Sequence, residues 1–81
     1  MTPKEFRTKV GKILDGKFYV CFDKLHNETT IDGLESRISF DELLSLSKLT
    51  NSNSIVYKTE IGYYGDVSHC ITIYGFSLFE D

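Results

Sequence analysis

The sequence has no Ala, no Gln and no Trp, and Gly, Ala, Arg and Pro together number 9 against 29 for Phe, Tyr, Met, Ile, Asn and Lys. The scarce group uses GC-rich codons and the abundant group AT-rich ones. That skew points to an AT-rich genome, such as that of a low-GC bacterium or one of its phages. Also missing is any run approaching the ~20 apolar residues of a membrane span. The opening Met1-Thr2-Pro3-Lys4-Glu5-Phe6 has no apolar run of signal-peptide type. A cytoplasmic protein without a membrane attachment is therefore expected. In that compartment Cys21 and Cys70 are expected to be free thiols. The Asn27-Glu28-Thr29 triplet matches a glycosylation acceptor, but the match carries no weight without secretion.

Signatures of chemistry are absent in the same way. Cys21, His26, His69 and Cys70 form neither a C-x-x-C nor an H-x-x-x-H spacing. His69 and Cys70 are adjacent, so on a strand they point to opposite faces and cannot share one ion. No metal and no cofactor are expected. Asp66, Ser68, His69 and Ser77 are the residue types of a hydrolytic triad. There is no G-x-S-x-G elbow, however, and a hairpin tip is a poor place to hold a base against a nucleophile. Gly62 and Gly65 belong to no phosphate-binding pattern that opens a helix. The expectation is a protein that is not an enzyme.

What the chain does have is bulk. Of its 81 residues, 11 are Phe or Tyr, and 41% are hydrophobic. One domain spanning residues 1–81 is expected. A domain of this size buries roughly 60–65% of its unfolded surface, which is enough for a core but leaves a thin stability margin. Charge is divided along the chain. Residues 1–24 hold six basic and three acidic side chains; residues 25–81 hold three basic and nine acidic ones.

Two helices carry their own start signals. Thr2, Pro3 and Glu5 make a capping box ahead of a stripe formed by Phe6, Val10, Ile13 and Leu14, and Gly16 supplies a stop. Gly11, in mid-helix, suggests close approach by another backbone. Ser39 and Glu42 repeat the capping box, and Phe40, Leu43, Leu46 and Leu49 are expected to face the core with Leu44 on the flank. Residues 17–23 read as a strand with apolar side chains on both faces, hence an interior strand or one with a partner covering its outer side. Residues 24–30 read as a loop, Ile31-Asp32-Gly33 as a turn, and residues 34–39 as a second strand. Residues 55–64 and 68–77 read as a hairpin turning at Gly65-Asp66. The predicted fold class is α+β, in the order α-β-β-α-β-β, an antiparallel sheet with two helices packed on one face. The halves align at an offset of 37 residues, which pairs Thr2 with Ser39 and Glu5 with Glu42. Two α-β-β units using the same local physics account for this alignment better than duplication does.

The functional expectation is a small protein-binding module, with an inhibitor of a host or defence protein as the specific form. Tyr63, Tyr64 and Asp66 at the hairpin tip, with Glu60, Asp41 and Glu42, form the candidate acidic, tyrosine-bearing surface. Its expected partner is a basic protein such as a nucleic-acid enzyme. A first alternative is nucleic-acid binding through Lys4, Arg7, Lys9 and Lys12 on the first helix. A second is an assembly protein that dimerises through an edge strand. Monomer and homodimer both remain open.

Overall fold

A computed structural model of the chain describes residues 1–79. Helix α1 covers Pro3–Ile13, strands β1 and β2 cover Tyr19–Asp23 and Glu28–Leu34, helix α2 covers Phe40–Thr50, and strands β3 and β4 cover Ile55–Ile61 and Val67–Tyr74. The fold is α+β in the expected order. Its four strands form one antiparallel sheet in the order β1-β2-β4-β3, so β2 and β4 are central and β1 and β3 are the edges. Among the described residues, no helix is long and apolar enough to cross a membrane.

Both helix starts are as the sequence implies. The Thr2 hydroxyl accepts the Glu5 N–H at 3.1 Å and the Glu5 carboxylate accepts the Thr2 N–H at 3.3 Å. Hydrogen bonding from the Thr2 N–H, and secondarily from its side chain, holds the Glu5 carboxyl below its ordinary range. Ser39 and Glu42 make the same reciprocal pair at α2. Phe6, Val10 and Leu14 from α1 and Leu46 from α2 meet Val20, Ile31, Leu34, Ile71 and Ile73 from the sheet. One core therefore lies between the two helices and a single sheet face. The register explains which strand residues it takes. Val20, Ile31, Ile71 and Tyr57 line up across the four strands, as do Phe22, Thr29, Ile73 and Ile55. The other face, which carries Tyr19, Cys21, Thr30, Asp32, Thr72 and Lys58, has no second layer among the described residues.

Several expectations need correction. Residues 28–34, not 34–39, form the second strand. The β1–β2 turn is at residues 24–27, where Asn27 takes φ +52° and Asp23 accepts the His26 N–H at 3.1 Å. Gly33 is not a turn residue. Its φ of +76° accompanies a register shift against β4 between Ile31 and Leu34, which is a bulge inside the strand. β1 is an edge strand, not an interior one; the Tyr19 ring packs over Gly33 instead of beneath another layer. β4 ends at Tyr74, and Gly75 at φ +76° redirects the chain. Phe76 consequently reaches the core side, with its ring 5.2 Å from that of Phe6. Among the described residues nothing from outside its own helix approaches Gly11, since a Cβ there would meet no such atom within 4 Å.

Exchanging the two α-β-β halves leaves the strand order unchanged, because β1 and β3 are both edges and β2 and β4 both central. The helices start and end 37 residues apart. The layout is thus two-fold in kind, with one flank built on α1 and β1 and the other on α2 and β3.

Candidate functional site

The two flanks are finished differently. On the α1 side, Arg7 lies over the Phe22 ring, 5.5 Å from its centroid, and Phe22 packs edge-on against Phe6. Residues 77–79 run past the start of α1 and line an open pocket of about 300 Å³ with Met1, Thr2, Pro3 and Lys24. On the α2 side, Phe40 is 77% exposed and Leu44 is also exposed. They line an open groove of about 250 Å³ with Leu43, Ser47, Ser52, Asn53 and Ile55. Phe40 was expected in the core. It is the first residue of α2, and the half-buried Ile38 and Tyr57 pack against the core near that helix end.

The groove adjoins β3, which is open along its outer edge. Seven residue pairs join β3 to β4 without interruption. The Ser54–Tyr74 and Gly62–Asp66 pairs are hydrogen-bonded, and bonded pairs alternate along an antiparallel ladder. Ile55, Tyr57, Thr59 and Ile61 therefore turn their N–H and C=O groups away from β4, toward the open edge. Residues Lys58 to Ile61 are exposed, Ile61 by 76%.

The hairpin tip extends the same flank. Gly62 N–H donates to the Asp66 carbonyl, and Gly65 N–H, at φ +83°, donates to that of Gly62 at 3.0 Å. The expected turn residue is correct, but the loop spans residues 62–66, so Tyr63 and Tyr64 belong to the loop and not to a strand. Their rings stack edge-on at 5.1 Å and are 95% and 92% exposed. The Asp66 carboxylate lies against Gly62, leaving no room for a Cβ there.

The candidate acids have separate uses. Glu60 pairs with Lys58 at 3.3 Å, Glu42 belongs to the α2 cap, and Asp66 lies within the loop. Asp41 stands on the first turn of α2 beside Phe40. Tyr63, Tyr64, Asp66 and Glu60 are thus brought together on one hairpin, while Asp41 and Glu42 sit at the helix that lines the groove. Phe40 and Ile61 were missed as surface residues, and Leu44 was expected on the flank. An apolar helical stripe carries no signal for the exposure of its first member.

Of the four basic candidates on α1, Lys4, Lys9 and Lys12 line one shallow depression with Glu5 and Thr8. Arg7 points elsewhere, over Phe22.

His69 is buried on the helix face of β4. Its Nδ1 lies 2.9 Å from the Tyr57 hydroxyl and 3.0 Å from that of Thr59, and the Tyr57 oxygen also accepts the Ile38 N–H at 3.2 Å. This network ties the lead-in to α2 onto β3 and β4. It takes His69 away from Ser68, which projects from the opposite sheet face, and from Asp66 in the loop. Cys21 is exposed on the uncovered face, whereas burial, and secondarily the Asp32 charge, raises the pKa of the Cys70 thiol on the same face. Among the described residues, no three His, Cys, Asp or Glu side chains gather at metal-binding separation.

No protein-family model, curated protein or solved structure matches the chain at a significant level.

Proposed function

We propose that this protein is a small non-enzymatic binding module whose partner is another protein, docked on the flank formed by α2, β3 and the β3–β4 tip. The observation that carries this reading is the concentration of exposed apolar and aromatic side chains there: Phe40, Leu44, Ile61, Tyr63 and Tyr64. Large apolar side chains exposed as a group on a folded domain mark contact surfaces, and tyrosine combines a large apolar body with a polar tip suited to an interface. Asp41 and Asp66 at the rim suit a basic partner surface. A module of this kind acts stoichiometrically, as an inhibitor of a host or defence protein does.

The test places a photo-crosslinking amino acid at position 64 in the producing cell. One dominant adduct is expected. Phe40→Asp, on the exposed rim of the groove, should abolish it, and Lys9→Glu with Lys12→Glu should leave it intact. A second reading, nucleic-acid binding, is favoured by the depression shared by Lys4, Lys9 and Lys12. It takes over if the only adduct is to nucleic acid and disappears with the lysines.

A further inference from the structure

We infer that the partner of the β3 edge is a second copy of this chain, paired antiparallel through β3 about a two-fold axis at Thr59. The inference rests on the protein-binding reading of this flank and divides it: the second copy takes the β3 edge, and the Phe40–Leu44 groove and the hairpin tip are left to the other protein.

β3 lacks most of the devices that keep an edge from pairing. It contains no proline and no bulge, and all seven of its residues are in regular register with β4. Its one cation, Lys58, is already paired with Glu60 at 3.3 Å. The outward backbone groups belong to Tyr57, Thr59 and Ile61, with Ile55 at the strand start. A symmetric antiparallel pair must match outward residues with outward residues, so only a few registers exist.

Charge selects among them. Centring the axis on Lys58 sets Lys58 against Lys58 of the second copy. Centring it on Glu60 opposes the two Glu60 carboxylates. Centring it on Tyr57 leaves Lys58 opposite Val56 and gains no charge pairing. Centring it on Thr59 places Lys58 of each copy opposite Glu60 of the other, at the close, non-hydrogen-bonded positions of the ladder. Each Lys58 then lies between its own Glu60 and that of the second copy, so four charges alternate in sign. On the helix face the same register sets Tyr57 opposite Ile61 of the second copy and Thr59 opposite itself. Ile61, 76% exposed in the single chain, gains an aromatic neighbour. The result is one continuous sheet of eight strands with neither β3 edge left open.

The experiment is light scattering combined with sedimentation equilibrium on the whole chain across micromolar to millimolar concentration. Lys58 and Glu60 are exposed, so their substitution leaves the core untouched, and circular dichroism verifies the fold. The native chain should dimerise. Lys58→Glu and Glu60→Lys should each weaken the dimer about tenfold or more, since like charges then face each other twice per dimer. The double exchange Lys58→Glu with Glu60→Lys should restore it. So should mixing the two single variants, whose heterodimer has opposite charges at both positions. A native chain that stays monomeric to millimolar concentration overturns the inference, as does a dimer indifferent to the exchanges or one that the double exchange fails to restore. A monomer that still crosslinks from position 64 to a different protein defeats self-pairing and leaves the protein-binding reading standing.

Discussion

Asp23 and His26 face each other across the β1–β2 turn, with Oδ2 and Nδ1 2.7 Å apart. The hydrogen bond to Asp23, reinforced by its charge, raises the His26 pKa above its ordinary 6.5. The hydrogen bonds from His26 hold the Asp23 carboxyl below its ordinary 3.8. The two shifts act on stability from opposite sides. A raised His26 favours the folded state fully below pH 6.5, and that contribution is lost as pH rises through the higher folded value. A lowered Asp23 contributes above pH 3.8, and its share is lost as pH falls through the lower folded value. The pair therefore supports the turn most between those two ordinary values. Both groups are exposed, so the effect on the turn is local and screened by salt. Proton NMR of the His26 ring should give a titration midpoint above 6.5, and Asp23→Asn should lower it. A midpoint that ignores the substitution would show that the turn geometry, not the carboxylate, sets the value.

β2 shows where sequence reading and structure part at the level of the element. Asp32-Gly33 has the composition of a turn, and locally nothing contradicts that. The outcome is decided by partners far along the chain. β1 pairs with residues 28–32 and β4 with residues 28–34, so the glycine is enclosed in a sheet. A weaker cue was present in Thr29-Thr30-Ile31, a β-branched run in which Thr29 and Ile31 point to the core. The helices needed no such long-range information, because capping boxes and apolar stripes are local. The hairpin tip was also legible, since Gly65 announced the turn that presents Tyr63 and Tyr64. The exposure of Phe40 was not, because a helical stripe does not say where the sheet beneath it ends. If Gly33 is a bulge residue, Gly33→Ala should cost about 1–3 kcal/mol for a non-glycine residue at positive φ. A Cβ there would also come within 2.9 Å of the Tyr19 ring. Chemical denaturation measures the loss, and adding Tyr19→Ala should relieve only the contact part. A variant as stable as the native chain would mean that β2 can relax into unbroken register.

At the scale of the whole molecule, the two-fold layout makes the difference between flanks informative. On one flank Arg7 lies over Phe22, Phe22 packs against Phe6, and Phe76 is directed onto Phe6 by the turn at Gly75. Thr29 secures that segment by donating its hydroxyl proton to the Phe76 carbonyl at 2.8 Å. On the other flank Phe40 and Leu44 stand over an unfilled groove beside an unprotected strand. Two phenylalanines of one composition thus have opposite uses, and stability separates them. Phe76 is half-buried against the core, so Phe76→Ala should cost about 2 kcal/mol, below the range for a fully buried ring. For a domain of this size, that lowers the melting temperature by roughly 8–16 °C. Phe40→Ala removes a ring that is mostly in water, and at concentrations where the chain is monomeric it should change stability by no more than about 0.5 kcal/mol. Thermal melts of dilute protein compare the two directly. Equal losses would place Phe40 in the core and remove it from the contact surface. A loss confined to Phe76 assigns that ring to the fold and leaves Phe40 available for a partner.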